Sequence, residues 1–349
     1  MAETMRAIIK ERPGPGLTMT TVPVPRPGPG QVLIKVKTVS ICGTDYHIYE
    51  WNKWAASRVK PPLIAGHELA GHVAELGEGV DCVQVGDFVS AESHIVCGRC
   101  PQCQLGQAQV CINTTIIGVD IPGCFAEYVV LPESNLWVND DRVPDDWASV
   151  QEPLGNAVYS VLADEIVGRT VAITGAGPIG LMCILVAKAV GAQAVAVTEV
   201  NPYRLQMARD LGADLVLNPG ETDAVSGVID FFGGQGADVV LEMAGAGPAV
   251  VQALQMARKG GRVSLLGIPS DRVNIDVTND LVFKGLTVYG IAGRKLWHTW
   301  HEVSGLILSG NVDLSKVITH RMPWDEFDRG MQLMGEGKSG KIVLDVDKE

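Results

Sequence analysis

Four cysteines lie close together in the sequence, at Cys97, Cys100, Cys103 and Cys111. Thiolates at this spacing can close around a single ion as a tetrahedral zinc site. Four protein ligands leave no coordination position for a substrate, so we expect this zinc to stabilise a loop-rich lobe. Three other cysteines are interpreted as small buried apolar side chains, namely Cys82, Cys124 and Cys183.

A second set of metal-ligand residue types is dispersed along the chain. Cys42 lies in Ile-Cys-Gly-Thr-Asp, His67 and Glu68 in Gly-His-Glu, and Glu152 in Gln-Glu-Pro. A mixture of thiolate, imidazole and carboxylate with one open position is typical of catalytic zinc. A single histidine is more often a hydrogen-bonded structural residue. These residues alone therefore leave both interpretations open.

A glycine-rich segment, Gly175-Ala-Gly177-Pro-Ile-Gly180, ends an apolar run and precedes an apolar helical pattern. Two glycines permit a tight turn and close approach to a pyrophosphate, and the third lets helix and strand pack. The helix N-terminus supplies free N–H groups to the phosphates. Glu199 ends the next strand and is expected to accept hydrogen bonds from the adenosine ribose, which favours NAD over NADP. Arg204 either opposes that preference or lies along the adenine.

These residues require two kinds of scaffold. Val32, Ile34 and Val36 alternate with polar residues as in a half-buried strand, and short β-like runs continue to about residue 150. Beyond that point strands and helices alternate, which indicates βαβ units and a parallel sheet. The predicted elements are strands Thr170–Thr174, Ala194–Thr198, Asp214–Leu217, Asp238–Glu242, Arg262–Leu266, Leu286–Tyr289 and Lys341–Asp345, with helices Pro178–Val190 and Pro202–Leu211.

The predicted fold class is therefore α/β, with a Rossmann doubly wound parallel sheet and a second, mostly β, loop-rich domain. We expect the catalytic, zinc-binding domain at 1–155, completed by 300–349, and the NAD-binding domain at 156–299. A length of 349 residues suits two hydrophobic cores.

Composition narrows the class of partner. With 28 basic and 40 acidic side chains the net charge is −12, which disfavours nucleic acid and anionic membranes. The N-terminal segment lacks the apolar core of a secretory signal, and the apolar run Pro178–Val190 is too short to span a bilayer. We therefore expect a cytoplasmic protein with reduced cysteines and a small-molecule substrate.

The motifs together show a resemblance. The pattern of residues 66–80, Gly-His-Glu-x2-Gly-x5-Gly-x2-Val, resembles the zinc signature of the medium-chain alcohol dehydrogenase family. Cys42-Gly-Thr-Asp45, the four-cysteine segment and the glycine-rich segment stand in that family's order, so the resemblance covers nearly the whole chain. Five segments resemble the members that oxidise L-threonine, namely Ser40–Tyr49, His94–Gly98, Gly123–Tyr128, Glu152–Val158 and Ile318–Arg321.

The resemblance implies a GroES-like catalytic domain and zinc-assisted oxidation of a secondary alcohol, with hydride transfer to NAD. Cys42, His67 and Glu68 would surround the catalytic zinc, and Glu152 would be a movable fourth ligand or proton carrier. Thr44 and His47 would relay the hydroxyl proton. The implied cofactor contacts are Gly175, Gly177, Ile179, Gly180, Glu199, Arg204, Leu266, Gly267, Ile268, Ile291 and Ala292.

The resemblance also implies two zinc ions per chain, a homotetramer, and L-threonine as substrate. His94, Glu152 and Arg294 are the polar candidates for contacts with the substrate. The sequence departs from the family's pattern at Ala292 and Tyr159, which bears on the shape or polarity of the pocket. Two alternatives stay open: a zinc enzyme acting on polyols or 2,3-butanediol, and a non-catalytic structural or sensing protein on the same fold.

Overall fold

The computed structural model describes residues 3–346, which divide into two compact units. One unit ends at Glu152 and resumes at Ile318, and the other is Pro153–Val317. The sequence placed the boundaries at 155 and 300. Residues 300–317, expected in the first domain, therefore group with the second unit, because the helix that begins at residue 298 packs there.

The strands, in chain order, are β1 Thr4–Lys10, β2 Thr18–Pro23, β3 Gln31–Ile41, β4 Leu63–Ile64, β5 Leu69–Leu76, β6 Phe88–Ala91, β7 His94–Ile95, β8 Thr115–Ile116, β9 Tyr128–Pro132, β10 Leu136–Val138, β11 Thr170–Thr174, β12 Ala194–Thr198, β13 Leu215–Leu217, β14 Ala237–Glu242, β15 Ala257–Leu265, β16 Thr287–Gly290, β17 Ile318–Pro323 and β18 Lys341–Asp345. The α-helices are α1 Gly43–Glu50, α2 Lys53–Arg58, α3 Pro101–Gln104, α4 Asp145–Val161, α5 Pro178–Ala189, α6 Pro202–Asp210, α7 Ala224–Phe231, α8 Gly247–Met256, α9 His298–Leu308 and α10 Phe327–Gly335.

The first unit is built on a sheet in the order β10-β6-β5-β3-β18-β17, with β9 also paired to β3. Strand β3 lies between β5 and β18 in this sheet, and most of its residues are buried. The core cluster includes Ile34, Leu69 and Ile342, from three neighbouring strands. This arrangement confirms the predicted mostly β, loop-rich domain, and it brings the C-terminal strand β18 against β3, where the metal-ligand segment begins.

The second unit holds a six-stranded parallel sheet in the order β13-β12-β11-β14-β15-β16. The chain crosses from β13 to β14 over the centre of the sheet, so the strand order reverses between β11 and β14. Such a reversal opens a crevice at the carboxyl ends of the strands, where dinucleotides bind. The predicted Rossmann sheet is confirmed.

Helices α5 and α8 flank the central strands of this sheet. Strands β11 and β12 are apolar without alternation, which is expected of parallel strands covered on both faces. Their predicted bounds match the structure at both ends. Strand β15 begins at Ala257, five residues before its predicted start. The prediction missed this first part because it contains the charged Arg258 and Lys259 and pairs irregularly with β14.

Within the described part of the chain, no helix combines the length and apolar character needed to cross a bilayer.

Candidate active site and metal centres

Three predicted ligands converge in the first unit. One ligand atom each from Cys42, His67 and Glu68 lies within 4.8 Å of the other two. Cys42 is the residue that caps the N-terminus of α1, and the other two immediately precede β5. His67 is 5% exposed and Glu68 is fully buried. Two separate chain segments thus bring a half-buried thiol, a buried imidazole and a buried carboxylate together.

The two oxygens of Glu68 have different surroundings. Oε2 accepts a hydrogen bond from the Ser40 hydroxyl and contacts the Lys341 ammonium. Oε1 is buried and has no hydrogen-bond partner among residues 3–346. Leaving a buried carboxylate oxygen unmatched is costly, and a metal ion would compensate for it. Burial raises the pKa of Glu68, against the lowering effect of Lys341 and His67. The donor set therefore fits a zinc ion.

Asp45 supports two of these ligands. It is fully buried in the first turn of α1, where its Oδ2 accepts from the backbone N–H of Cys42 at 2.9 Å. Its Oδ1 lies 3.5 Å from Nδ1 of His67. Burial lowers the pKa of His67, but the charges of Asp45 and Cys42 outweigh it and hold the pKa well above its usual value. A carboxylate behind a ligating histidine fixes the orientation of its ring. Sequence reasoning gave Asp45 no role, although an acid three residues after a capping position is a recognisable signal.

Glu152 lies at the end of the first unit and is not one of the three convergent ligands. Its side chain is buried and accepts a hydrogen bond from the Ser93 hydroxyl, a contact that sequence reasoning missed. Its charge contributes to the raised pKa of Glu68, so the two carboxylates are near neighbours. This position suits a group that approaches a metal without being fixed to it.

The predicted proton relay lies on α1. Thr44 is half-buried, and His47, three residues later, is exposed. Residues at this spacing share one face of a helix, so the pair leads from the buried ligands towards solvent.

His94 is the first residue of β7, and its side chain is 18% exposed. Its backbone N–H donates to Oε1 of the buried Glu92 at 3.0 Å, and Nδ1 lies 3.8 Å from the same oxygen. Asn135 donates to the carbonyl groups of Glu92 and His94. Sequence reasoning found His94 but neither of the two residues that fix its position.

The four cysteines of the predicted structural site also converge. All four Sγ atoms lie within 4.8 Å of one another. Separations are 3.5 Å for Cys97–Cys111, 3.5 Å for Cys100–Cys103 and 3.7 Å for Cys100–Cys111. A zinc–sulfur bond of about 2.3 Å implies tetrahedral edges of about 3.8 Å, so a zinc ion fits. The Asn113 amide and nearby backbone N–H groups lower the pKa of Cys97 to about 6, which favours the ligating thiolate.

The three cysteines predicted to be buried apolar side chains differ in burial. Cys124 and Cys183 are buried as predicted, but the prediction for Cys82 is wrong, because this residue is exposed. It lies between Asp81 and Val83 in a surface loop, where a neighbouring acidic side chain accepts from its thiol.

The glycine-rich segment of the second unit joins β11 to α5. Gly175 has a φ of +88°, a conformation that favours glycine. A Cβ added at Gly180 would lie 2.0 Å from the Gly175 carbonyl oxygen, so only glycine lets the helix pack against the turn. A Cβ at Gly177 would meet nothing within 4 Å. The open space above Gly177, at an uncapped helix N-terminus, fits a pyrophosphate group.

Glu199 directly follows β12 and is 8% exposed. Oε2 accepts from the N–H of Ala176, and Oε1 accepts from those of Val200 and Asn201, at 2.7–2.9 Å. The carboxylate therefore also holds the glycine-rich turn against the end of β12, a function that the sequence did not indicate.

The other predicted cofactor contacts follow the carboxyl ends of parallel strands. Leu266, Gly267 and Ile268 follow β15, and Ile291 and Ala292 follow β16. Ile268 is 89% exposed, as an apolar residue that covers a bound cofactor would be. Ile179 and Arg204 lie in the first turns of α5 and α6.

Three residues of the second unit add to this description. Glu242 was missed by sequence reasoning: its buried carboxylate accepts from the N–H groups of Ala244 and Gly245 at the end of β14. Arg294 is only 2% exposed and donates to the Asn156 side chain at 3.2 Å. The Tyr159 ring lies 5.0 Å from Nζ of Lys295.

Comparison with known proteins agrees with this geometry. Residues 28–141 match the alcohol dehydrogenase GroES-like domain, and residues 178–309 match the zinc-binding dehydrogenase family. An L-threonine 3-dehydrogenase from Symbiobacterium thermophilum is 52% identical over 348 residues, covering 99% of each chain. One from Pyrococcus horikoshii is 54% identical over 345 residues, again covering 99% of each chain.

Solved structures share the fold. An Escherichia coli CFT073 chain, described as a short chain alcohol dehydrogenase complexed with NADH, has a TM-score of 0.90 at 27% identity, covering 99% of this chain and 100% of that one. A putative zinc-binding dehydrogenase from Sinorhizobium meliloti bound to NADP has a TM-score of 0.90 at 30% identity with the same coverage. The 2R,3R-butanediol dehydrogenase of Bacillus subtilis has a TM-score of 0.88 at 29% identity, covering 98% and 100%. With family matches across both units and relatives more than half identical over the full length, the chain belongs to the zinc-binding dehydrogenase family.

Proposed function

We propose that this chain oxidises the hydroxyl-bearing carbon of L-threonine with NAD as hydride acceptor, which yields 2-amino-3-oxobutanoate. The observation that carries the dehydrogenase assignment is the buried convergence of Cys42, His67 and Glu68, with one carboxylate oxygen left unmatched. The identity of the alcohol is supported by relatives, each an L-threonine 3-dehydrogenase, that match 99% of the chain at 52–54% identity.

Cys42, His67 and Glu68 would hold the catalytic zinc, and Glu152 would be its movable neighbour. When bound, zinc supplies the Lewis acidity that makes an alcohol hydroxyl easier to deprotonate. The chain's contribution is to fix the ligands, with the buried Asp45 behind His67. The four-cysteine cluster would hold the second, structural zinc.

Thr44 and His47 would move the proton. The half-buried Thr44 hydroxyl, two residues after Cys42, would accept the proton of the substrate hydroxyl and pass its own proton on towards His47. The exposed imidazole of His47, one helical turn on, releases it to water. Imidazole suits this step because its two ring nitrogens can take up a proton on one side and release one on the other.

The substrate is a zwitterion, so its pocket needs a negative or accepting group for the ammonium and a donor for the carboxylate. Glu152 is the candidate for the ammonium, and His94, set in place by Glu92, is the candidate for the carboxylate. Arg294 is a further candidate for the carboxylate.

NAD would bind at the carboxyl edge of the parallel sheet, over Gly177 and against Glu199. This assignment is supported by the open space at Gly177 and by the acidic group at the end of β12. When bound, NAD supplies the hydride acceptor. Similar structures carry either NADH or NADP, so the fold alone does not choose between them and the choice falls to Glu199.

We further propose a homotetramer in the cytoplasm. Strand β16 ends the parallel sheet, and apolar Val282, Phe283 and Val288 are exposed beside or on it, which supports self-association along this edge. Thiolate ligands require the reducing conditions of the cytoplasm. Sedimentation of the purified chain as a monomer at micromolar concentration would contradict the oligomer.

The decisive experiment is NADH formation by the purified, zinc-replete chain with L-threonine, L-serine, 2,3-butanediol and sorbitol. Threonine should exceed serine in kcat/KM by about 10- to 200-fold, because one methyl group in an apolar pocket contributes about 1–3 kcal/mol. His94→Ala should reduce turnover of threonine far more than that of the neutral diol. A higher kcat/KM for sorbitol or butanediol would overturn the substrate and leave the metal and NAD assignments standing.

A polyol or 2,3-diol dehydrogenase is the second candidate, favoured by the likeness to the butanediol enzyme of Bacillus subtilis. It would use the same metal ligands and relay, and only the panel of substrates separates it. A non-catalytic protein is disfavoured because both ligand sets converge intact.

A further inference from the structure

Lys341 is a buried cation that the mechanism above does not use. It is the first residue of β18 and is 2% exposed. Its Nζ donates to the Ile41 carbonyl at 2.9 Å and contacts Oε2 of Glu68. Ile41 ends β3 and immediately precedes Cys42. One ammonium group therefore touches both segments that supply the convergent ligands.

Oε2 of Glu68 is held by two donors, Lys341 and the Ser40 hydroxyl. Oε1 has no partner among the described residues and is the only carboxylate oxygen of Glu68 left for a metal. With one oxygen fixed, the carboxylate cannot turn to present both oxygens. The pair of donors therefore selects single-oxygen ligation.

The charges around this point also call for a cation. A thiolate at Cys42 and carboxylates at Glu68 and Glu152 would bring three negative charges to this region, and Asp45 behind His67 adds a fourth, against two positive charges on a divalent ion. Lys341 offsets one of the two that remain, at Glu68 itself. Uncompensated charge in a buried site is costly, whereas a hydrogen-bonded ion pair is tolerated.

We propose that Lys341 is a positioning residue for the catalytic metal: it fixes Glu68 as a ligand through one oxygen and offsets the charge of that ligand. This inference rests on the proposed metal site. Outer partners of metal ligands typically contribute 10- to 100-fold to metal affinity or activity.

The test uses the chain with Co²⁺ exchanged into the catalytic site, because Co²⁺ reports coordination through its visible spectrum. Lys341→Met should change the position and intensity of the visible bands, because the freed Oε2 allows a second bond. Release of Co²⁺ to a chelator should become at least about tenfold faster. Lys341→Arg, which keeps the charge, should restore most of both properties.

Lys10→Met is the matched control. Lys10 is 1% exposed, and its ammonium donates to the backbone carbonyl groups of Gly14 and Gly16 rather than to a residue of the proposed metal site. This variant should leave the Co²⁺ spectrum and release rate unchanged. A folded Lys341→Met chain with an unaltered spectrum and release rate would overturn the inference. Failure of the unaltered chain to take up Co²⁺ at this site would overturn the proposed metal site instead.

If Lys341→Met does not fold, the comparison moves to Glu68→Gln, which removes the charge that Lys341 balances. Adding Lys341→Met to Glu68→Gln should change the Co²⁺ release rate by less than about twofold, because Lys341 acts through Glu68. A further tenfold change in the double variant would show that Lys341 acts on the metal by another route, and the inference would fall.

Discussion

Replacing Glu199 by alanine should alter both the choice of cofactor and the stability of the second unit. Its carboxylate accepts three backbone N–H groups, from Ala176, Val200 and Asn201. The same carboxylate is the group proposed to meet the adenosine ribose. A change in cofactor preference is therefore interpretable only when the change in stability is measured beside it.

The effects of Glu199→Ala on cofactor preference and on stability can be estimated separately. A 2′-phosphate at the ribose position would lie about 4 Å from the carboxylate, and like charges at that distance repel by about 4 kcal/mol at an effective dielectric constant of about 20. This corresponds to roughly a thousandfold preference for NAD in kcat/KM. An unsatisfied buried donor costs about 1–3 kcal/mol. Ala176 is fully buried, whereas water can replace the other two bonds, so Glu199→Ala should lower the free energy of unfolding by about 1–3 kcal/mol.

The assay is kcat/KM for NAD and NADP, with urea unfolding of the same preparations. Asp214→Ala is the control: Asp214 accepts from the N–H of Val195 at the opposite end of β12, so its loss should affect stability without affecting the preference. Comparable kcat/KM for both cofactors in the unaltered chain would refute the role given to Glu199. An unchanged preference in Glu199→Ala would refute it as well.

Four further outcomes are expected. A chelator should remove one zinc per chain with loss of activity and retention of the fold, because the four-cysteine site is closed and the other is open; metal analysis that finds fewer than two zinc ions in active protein would contradict this. Gly180→Ala should destabilise the chain by about 1–3 kcal/mol, because its Cβ would lie 2.0 Å from the Gly175 carbonyl oxygen. Gly177→Ala should leave thermal unfolding nearly unchanged and should weaken NAD binding, as measured by calorimetry. Equal losses of stability in Gly180→Ala and Gly177→Ala would contradict the separate roles given to the two glycines. Burial lowers the pKa of Lys10 from 10.5 to about 8. Between these two pH values the unfolded chain binds more protons at Lys10 than the folded chain, so the free energy of unfolding rises with pH. Urea titrations should show this rise in the unaltered chain relative to Lys10→Met.

Much of the fold could be predicted because its signals are local. Uninterrupted apolar runs predict both ends of β11 and β12 correctly, since parallel strands buried on both faces show no polar alternation. The glycine-rich turn is equally legible, because a positive φ at Gly175 and close packing at Gly180 admit no side chain. The predicted β15 was too short at its N-terminal end, because the strand's first part contains charged residues and pairs irregularly with β14.

The candidate site was only partly predictable, because its supporting residues are unremarkable in sequence. Cys42, His67 and Glu68 were found as metal-ligand types at motif spacing. Ser40 and Lys341 were not, since a serine and a lysine acquire meaning only from what the fold places beside them. Sequence patterns report which atoms can bind a metal, whereas their orientation depends on contacts between distant segments.

The C-terminal strand shows what those distant contacts accomplish. Lys341 is 300 residues from Ile41, yet β18 pairs with β3 in register and brings the ammonium to the end of β3, where the ligand Cys42 follows. Strand β5, which follows Glu68, lies on the other side of β3. The three strands thus place Cys42, the Lys341 ammonium and the Glu68 carboxylate at the same end of the three strands. In the proposed site, Glu68 therefore has its counter-charge only when β18 has paired with β3. The first unit thus includes a C-terminal segment, and the proposed metal site takes its counter-charge from that segment.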